Sequence, residues 1–122
     1  MTTSLILVDV QNDFCPGGSL PVPGGFDVIP IINRLQSLFG LVVATKDWHP
    51  KDHSSFAVNH GKQPYEVIEL DGMTQALWPA HCVQGTPGAD YAPGLDTKRI
   101  AKVFLKGVDR KIDSYSGFFD NG

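Results

Sequence analysis

A chain of 122 residues, 42% hydrophobic and 19% charged, suits one globular domain and leaves no room for a second. Its formal net charge is −3 and its ten Lys and Arg residues are scattered, which argues against a nucleic-acid or membrane-surface partner. Two cysteines, Cys15 and Cys82, are too few for a disulfide framework, and the opening "MTTSLILVDVQNDF" has neither the basic start nor the apolar length of a signal peptide, so the expected setting is cytoplasmic with reduced thiols.

In chain order, "SLILVDV" (residues 4–10) is almost continuously apolar and β-branched, the pattern of a parallel strand covered on both faces, with Asp9 near its carboxyl end. After the turn-rich "CPGGSLPVPGG", Val28, Ile31, Ile32, Leu35, Leu38 and Phe39 recur at helical spacing, with Asp27 as N-cap and Gly40 as stop. "LVVAT" (residues 41–45) reads as a second buried strand. An excursion over residues 57–99, rich in Gly and Pro and without sustained periodicity, is expected to carry ligands. "IAKVFLKG" (residues 100–107) holds a weaker third strand. The fold class is therefore α/β, a βαβ unit followed by a long connection and another strand. Parallel α/β sheets place ligands outside the carboxyl ends of their strands, where Asp9, Asp47 and Lys106 gather.

"TKDWHPKDHSSF" (residues 45–56) sets Asp47 and His49 two apart, so that in extended chain they share a face and can grip one ion. "WPAHC" (residues 78–82) offers His81 as a third ligand. Asp, His and His make a mixed oxygen and nitrogen site for one divalent transition metal, Zn, Fe or Mn, with positions left open for water or substrate. His53 stands either as a further ligand or as a turn residue, and His60 reads as a solvated loop histidine.

"LILVDVQNDFCPGGSL", "KDWHPKDHSSF", "WPAHCVQGTPGA" and "FLKGVDRKIDSYSGFFDN" together closely resemble the nicotinamidases, also called pyrazinamidases, of the isochorismatase-like cysteine hydrolase superfamily. The resemblance spans residues 1–122 and corresponds to the N-terminal part of one such domain, the family's nucleophilic cysteine falling beyond Gly122. It implies a three-layer αβα fold whose parallel sheet has strand order 3-2-1-4-5-6 in the full domain. It also implies Asp9 and Lys106 as the catalytic pair, Asp47, His49 and His81 as metal ligands, and Phe14, Leu20, Trp78 and Tyr115 around the substrate's aromatic ring. Some members use a further histidine where His53 stands, while those with the "HPxDH" spacing manage with three.

The implied activity is hydrolysis of nicotinamide, and of pyrazinamide, to the acid and ammonia in NAD salvage. A thiol is mostly protonated at neutral pH, so a carboxylate must take its proton and a cation must hold the thiolate, which are the roles implied for Asp9 and Lys106. Cys15 and Cys82 lie off the family's nucleophile position, so residues 1–122 alone are expected to be inactive. The implied partner is a small-molecule substrate, with a homo-oligomer compatible. Two other readings stand beside this one: a relative acting on isochorismate or an N-carbamoyl compound, and a non-catalytic metal-binding chain.

Overall fold

A computed structural model describes residues 3–120 and assembles the strands into a parallel sheet. Strand β1 (Ser4–Val8) pairs with β2 (Leu41–Asp47) in the register Ser4 to Leu41 through Val8 to Thr45. Between them runs helix α1 (Val28–Gln36). A short antiparallel hairpin follows, β3 (Val67–Leu70) with β4 (Met73–Ala76). Strand β5 (Ile100–Lys106) then adds parallel to the far side of β2, bringing Lys106 opposite Asp47. The order β1-β2-β5 matches the first three strands of the expected sheet. The helical crossover and the long loop are what parallel pairing requires, since neither join can be a tight hairpin.

The core lies between α1 and one face of the sheet, where Leu7, Val42, Ala44, Ile29, Cys15 and Ala92 are buried together. Two expectations change here. Among the described residues β1 is covered on one face only, and Ile6 and Val8 remain 45% and 60% exposed. A continuous apolar run reports that both faces suit burial, not which elements cover them. The stripe of α1 is also rotated from the expected one: Ile29 and Gln36 are buried, whereas Val28, Ile31 and Leu38 are exposed. The cause is polar docking: Asn33 Nδ2 donates to the Gly94 carbonyl and Gln36 Nε2 to that of Asp96, both at 2.8 Å, seating the helix on the segment leading into β5. Asp27 precedes the helix but makes no side-chain capping bond.

The hairpin lies within the excursion expected to be irregular. Asp71 and Gly72 both take positive φ, 50° and 80°, the two-residue turn that suits the twist of paired strands. Backbone bonds from Leu77 to Glu66 and from Trp78 to Ser55 then carry the chain back toward the sheet edge, where His81 emerges.

Candidate metal and acid–base site

Three strand ends build the site. Asp9 leaves β1 with φ 54°, a left-handed conformation rare outside glycine, and this turns its carboxylate over the sheet edge. Its Oδ1 accepts a 2.7 Å bond from the Thr45 hydroxyl, and its Oδ2 lies 2.7 Å from Lys106 Nζ. The same ammonium donates to Asp47 Oδ1, so one largely buried cation is shared by two carboxylates. Burial works against the charge on Lys106, but Asp47 and Asp9 outweigh it and raise its pKa, so it stays protonated at neutral pH. Burial likewise opposes ionisation of Asp47; His49 and Lys106 overcome that and hold its carboxyl below the usual range.

The second oxygen of Asp47 points to the histidines. Oδ2 lies 3.4 Å from His49 Nε2 and 3.8 Å from His81 Nε2, and one ligand atom from each of the three residues falls within 4.8 Å of the others. A carbonyl only accepts, so His49 Nδ1 carries the proton it gives to Gly107 O at 2.8 Å, and His81 Nδ1 gives its own to Pro79 O at 2.7 Å. Both Nε2 lone pairs are thereby aimed at the common point beside Asp47, the arrangement that metal-ligating histidines show. Burial, the largest influence on His81, lowers its pKa and favours the neutral, ligating form. This donor set fits a divalent transition metal.

Close packing fixes the grip. Gly107 has φ 65°, and a Cβ there would overlap the His49 ring. Gln11, fully buried, accepts from Asp47 N–H at 2.9 Å and donates to the Asp47 carbonyl at 2.8 Å, pinning the backbone of the central ligand.

His53 is also fully buried, but both its ring nitrogens are engaged elsewhere. Nε2 donates to Ile112 O at 2.9 Å, which leaves Nδ1 to accept from the Ser55 hydroxyl at 2.8 Å. Its ring packs 4.5 Å from that of His49. His60 Nε2 is occupied by Ser54 O at 2.7 Å.

A cavity of about 230 Å³ opens over the site. Asp9, Lys106, Asp47, His49 and His81 line its polar side, and Phe14, Leu20, Trp78 and Tyr115 line the remainder. Every expected site residue except His53 thus meets in one place. Phe14 stands 5.7 Å from His81, ring centre to ring centre, whereas Tyr115 is 56% exposed at the rim. Asp113, buried and hydrogen-bonded to Gln75 at 2.9 Å, also borders the cavity. Sequence reasoning passed over it along with Gln11 and Thr45. Thr45 alone had a signal, since strand alternation puts it on the face of Asp47. Cys15 and Cys82 are buried and free, burial pushes both thiols up, and neither borders the cavity.

No family model matches the chain. A nicotinamidase from Escherichia coli strain K12 is 52% identical over 123 residues, covering 98% of this chain and 58% of that protein. The similarity to nicotinamidases thus runs over nearly the whole of this chain. A solved nicotinamidase and pyrazinamidase from Acinetobacter baumanii superposes on this chain with a TM-score of 0.90 at 51% identity, covering 96% of this chain and 57% of its own. A pyrazinamidase of Pyrococcus horikoshii, solved in complex with zinc, superposes at 0.70 with 39% identity, over 94% and 57%. The chain spans a little over half the length of the curated relatives it matches, 58% of one and 55% of another. No helix among its described residues is long and apolar enough to cross a membrane.

Proposed function

We propose that this chain carries the metal grip and acid–base pair of a nicotinamide amidohydrolase that also accepts pyrazinamide. The observation that carries this reading is the single ammonium of Lys106 joining Asp9 to Asp47, whose other oxygen faces His49 and His81 across one cavity. A zinc-bound relative favours zinc among the candidate metals. The buried, free thiols fit a cytoplasmic setting.

A metal held by Asp47, His49 and His81 would supply a Lewis-acidic point for the ring nitrogen of a heteroaromatic amide. Phe14 and Trp78 bound the space for the ring and keep water from its faces. Asp9 receives the proton of a cysteine thiol, and Lys106, beside it, stabilises the resulting thiolate. The thiolate attacks the carboxamide carbon. Asp9 returns its proton to the departing nitrogen, which leaves as ammonia, and water then cleaves the thioester to the acid and restores the thiol. Cys15 and Cys82 are buried and neither borders the cavity that Asp9 and Lys106 line, so the nucleophile is assigned to a cysteine other than these two. The residues described here are then one part of the catalyst. An isochorismate or carbamoyl substrate gives the buried Asp47, His49 and His81 no task, which disfavours that alternative.

The test is Asp9→Asn in the protein that hydrolyses nicotinamide. An amide cannot take the thiol proton, so kcat is expected to fall roughly 10²-fold or more with zinc content unchanged. Ammonia release within about threefold of wild type would make Asp9 a strand-end cap instead of a general base.

A further inference from the structure

Asp13 is a buried carboxylate outside the cavity lining, and the chemistry above leaves it without a role. It sits in a short turn after β1, only 9% exposed, and among the described residues no Lys or Arg is paired with it. Both of its oxygens accept backbone N–H bonds: Oδ1 from Ser19 at 3.1 Å and Oδ2 from Cys82 at 2.8 Å. Its own carbonyl accepts from Leu20 N–H at 2.9 Å. The carboxylate fits because residue 88 is glycine; a Cβ there would overlap all three carboxyl atoms.

The Cys82 contact is the consequential one. Cys82 takes the left-handed conformation at φ 48°, and its carbonyl accepts the His49 N–H at 2.9 Å. One peptide neighbour of His81 is therefore held from both sides, by Asp13 at its nitrogen and by the backbone of His49 at its carbonyl. These two contacts fix where His81 enters the metal point relative to His49. We propose that Asp13 is a positioning residue for the metal centre, setting the approach of His81 to Asp47 and His49 without touching the ion. The inference rests on the metal reading above. Asparagine is nearly the same shape but offers one accepting oxygen for two N–H groups and turns an NH₂ toward the other, so one of the two loops must move.

The experiment measures zinc affinity of the protein by competition with a chromophoric chelator, for wild type, Asp13→Asn, Gly88→Ala and Asn33→Ala. Asp13→Asn is expected to weaken zinc about 10- to 100-fold, as loss of an outer-shell partner typically does. Gly88→Ala, which displaces the carboxylate while keeping its charge, is expected to weaken zinc in the same direction and decides the matter if Asp13→Asn fails to fold. Asn33→Ala removes bonds at α1 remote from the site and is expected to lower thermal stability without changing affinity. Unchanged affinity in folded Asp13→Asn, or in Gly88→Ala, would overturn the inference. So would an equal loss in Asn33→Ala, since the effect would then be general destabilisation. Absence of zinc binding by wild type would overturn the metal reading itself and is seen before any variant is compared.

Discussion

At the scale of single residues, the site works by dividing each group between two neighbours. Asp47 gives one oxygen to Lys106 and the other to the histidines; Asp9 gives one to Lys106 and the other to Thr45. The Thr45 hydroxyl therefore sets the orientation of the Asp9 carboxylate. Thr45→Val keeps the shape and removes that bond. Hydrogen bonds to charged groups contribute about 1.5–3 kcal/mol, so on the proposed function kcat of the protein that hydrolyses nicotinamide is expected to fall roughly tenfold or more, with zinc affinity unchanged. Steady-state kinetics alongside chelator competition checks both halves. The meeting of Asp9, Asp47 and Lys106 was legible because parallel strands deliver their carboxyl ends to one edge, and the Asp-x-His spacing marked Asp47 and His49 as a candidate pair. Asp13, Gln11 and Asp113 were illegible because their partners are backbone groups or side chains distant in sequence, such as Cys82 for Asp13 and Gln75 for Asp113.

Among the elements, the segment after β5 depends on a latch. His53 reaches Ile112 O, and Ser54 N–H donates to Arg110 O at 2.7 Å, tying residues 110–112 to the loop that follows β2. Asp113 and Tyr115 reach the cavity from that tied segment. His53→Ala is expected to release it, read as faster amide exchange at Ser54 and, on the proposed function, a raised KM with kcat little changed in the protein that hydrolyses nicotinamide. Retained protection at Ser54 would assign His53 another task. Sequence alone left His53 open because a histidine in a Pro-containing loop has the same local pattern whether it binds metal or carbonyl. The strands were legible from their apolar runs, and the sheet order followed the family resemblance. The β3–β4 hairpin carried its signal in "LDGM", but strands of four residues each give too little alternation to stand out beside the surrounding Gly and Pro. The facing of α1 was misread because Asn33 and Gln36, polar by type, make its tertiary contacts.

For the whole molecule, the buried titratable groups set how stability follows pH. Burial lowers the pKa of His53 and of His81, so between their unfolded value, about 6.5, and their folded values the unfolded chain binds more protons. Stability from these two groups is complete above that pH and is lost as pH falls through the folded values. Asp47, also depressed, adds a second loss that begins below about pH 4. Lys106, raised by its two carboxylates, acts oppositely: its contribution holds below about pH 10 and disappears as pH rises through its folded value. The thermal midpoint of the metal-free protein is therefore expected to be highest between these limits and to decline from pH 7 to pH 5. A midpoint that rises on acidification over that range would mean the histidines are charged in the folded state.

The claim on which the functional reading most depends is that Asp47, His49 and His81 hold one metal ion while His53 does not. Zinc content measured after equilibration and desalting tests it directly. The expected result is one zinc per chain in wild type and in His53→Ala, with most of it lost from His49→Ala and from His81→Ala, because two remaining ligands compete poorly with water. Full zinc occupancy in His81→Ala, or its loss in a folded His53→Ala, would contradict the assignment.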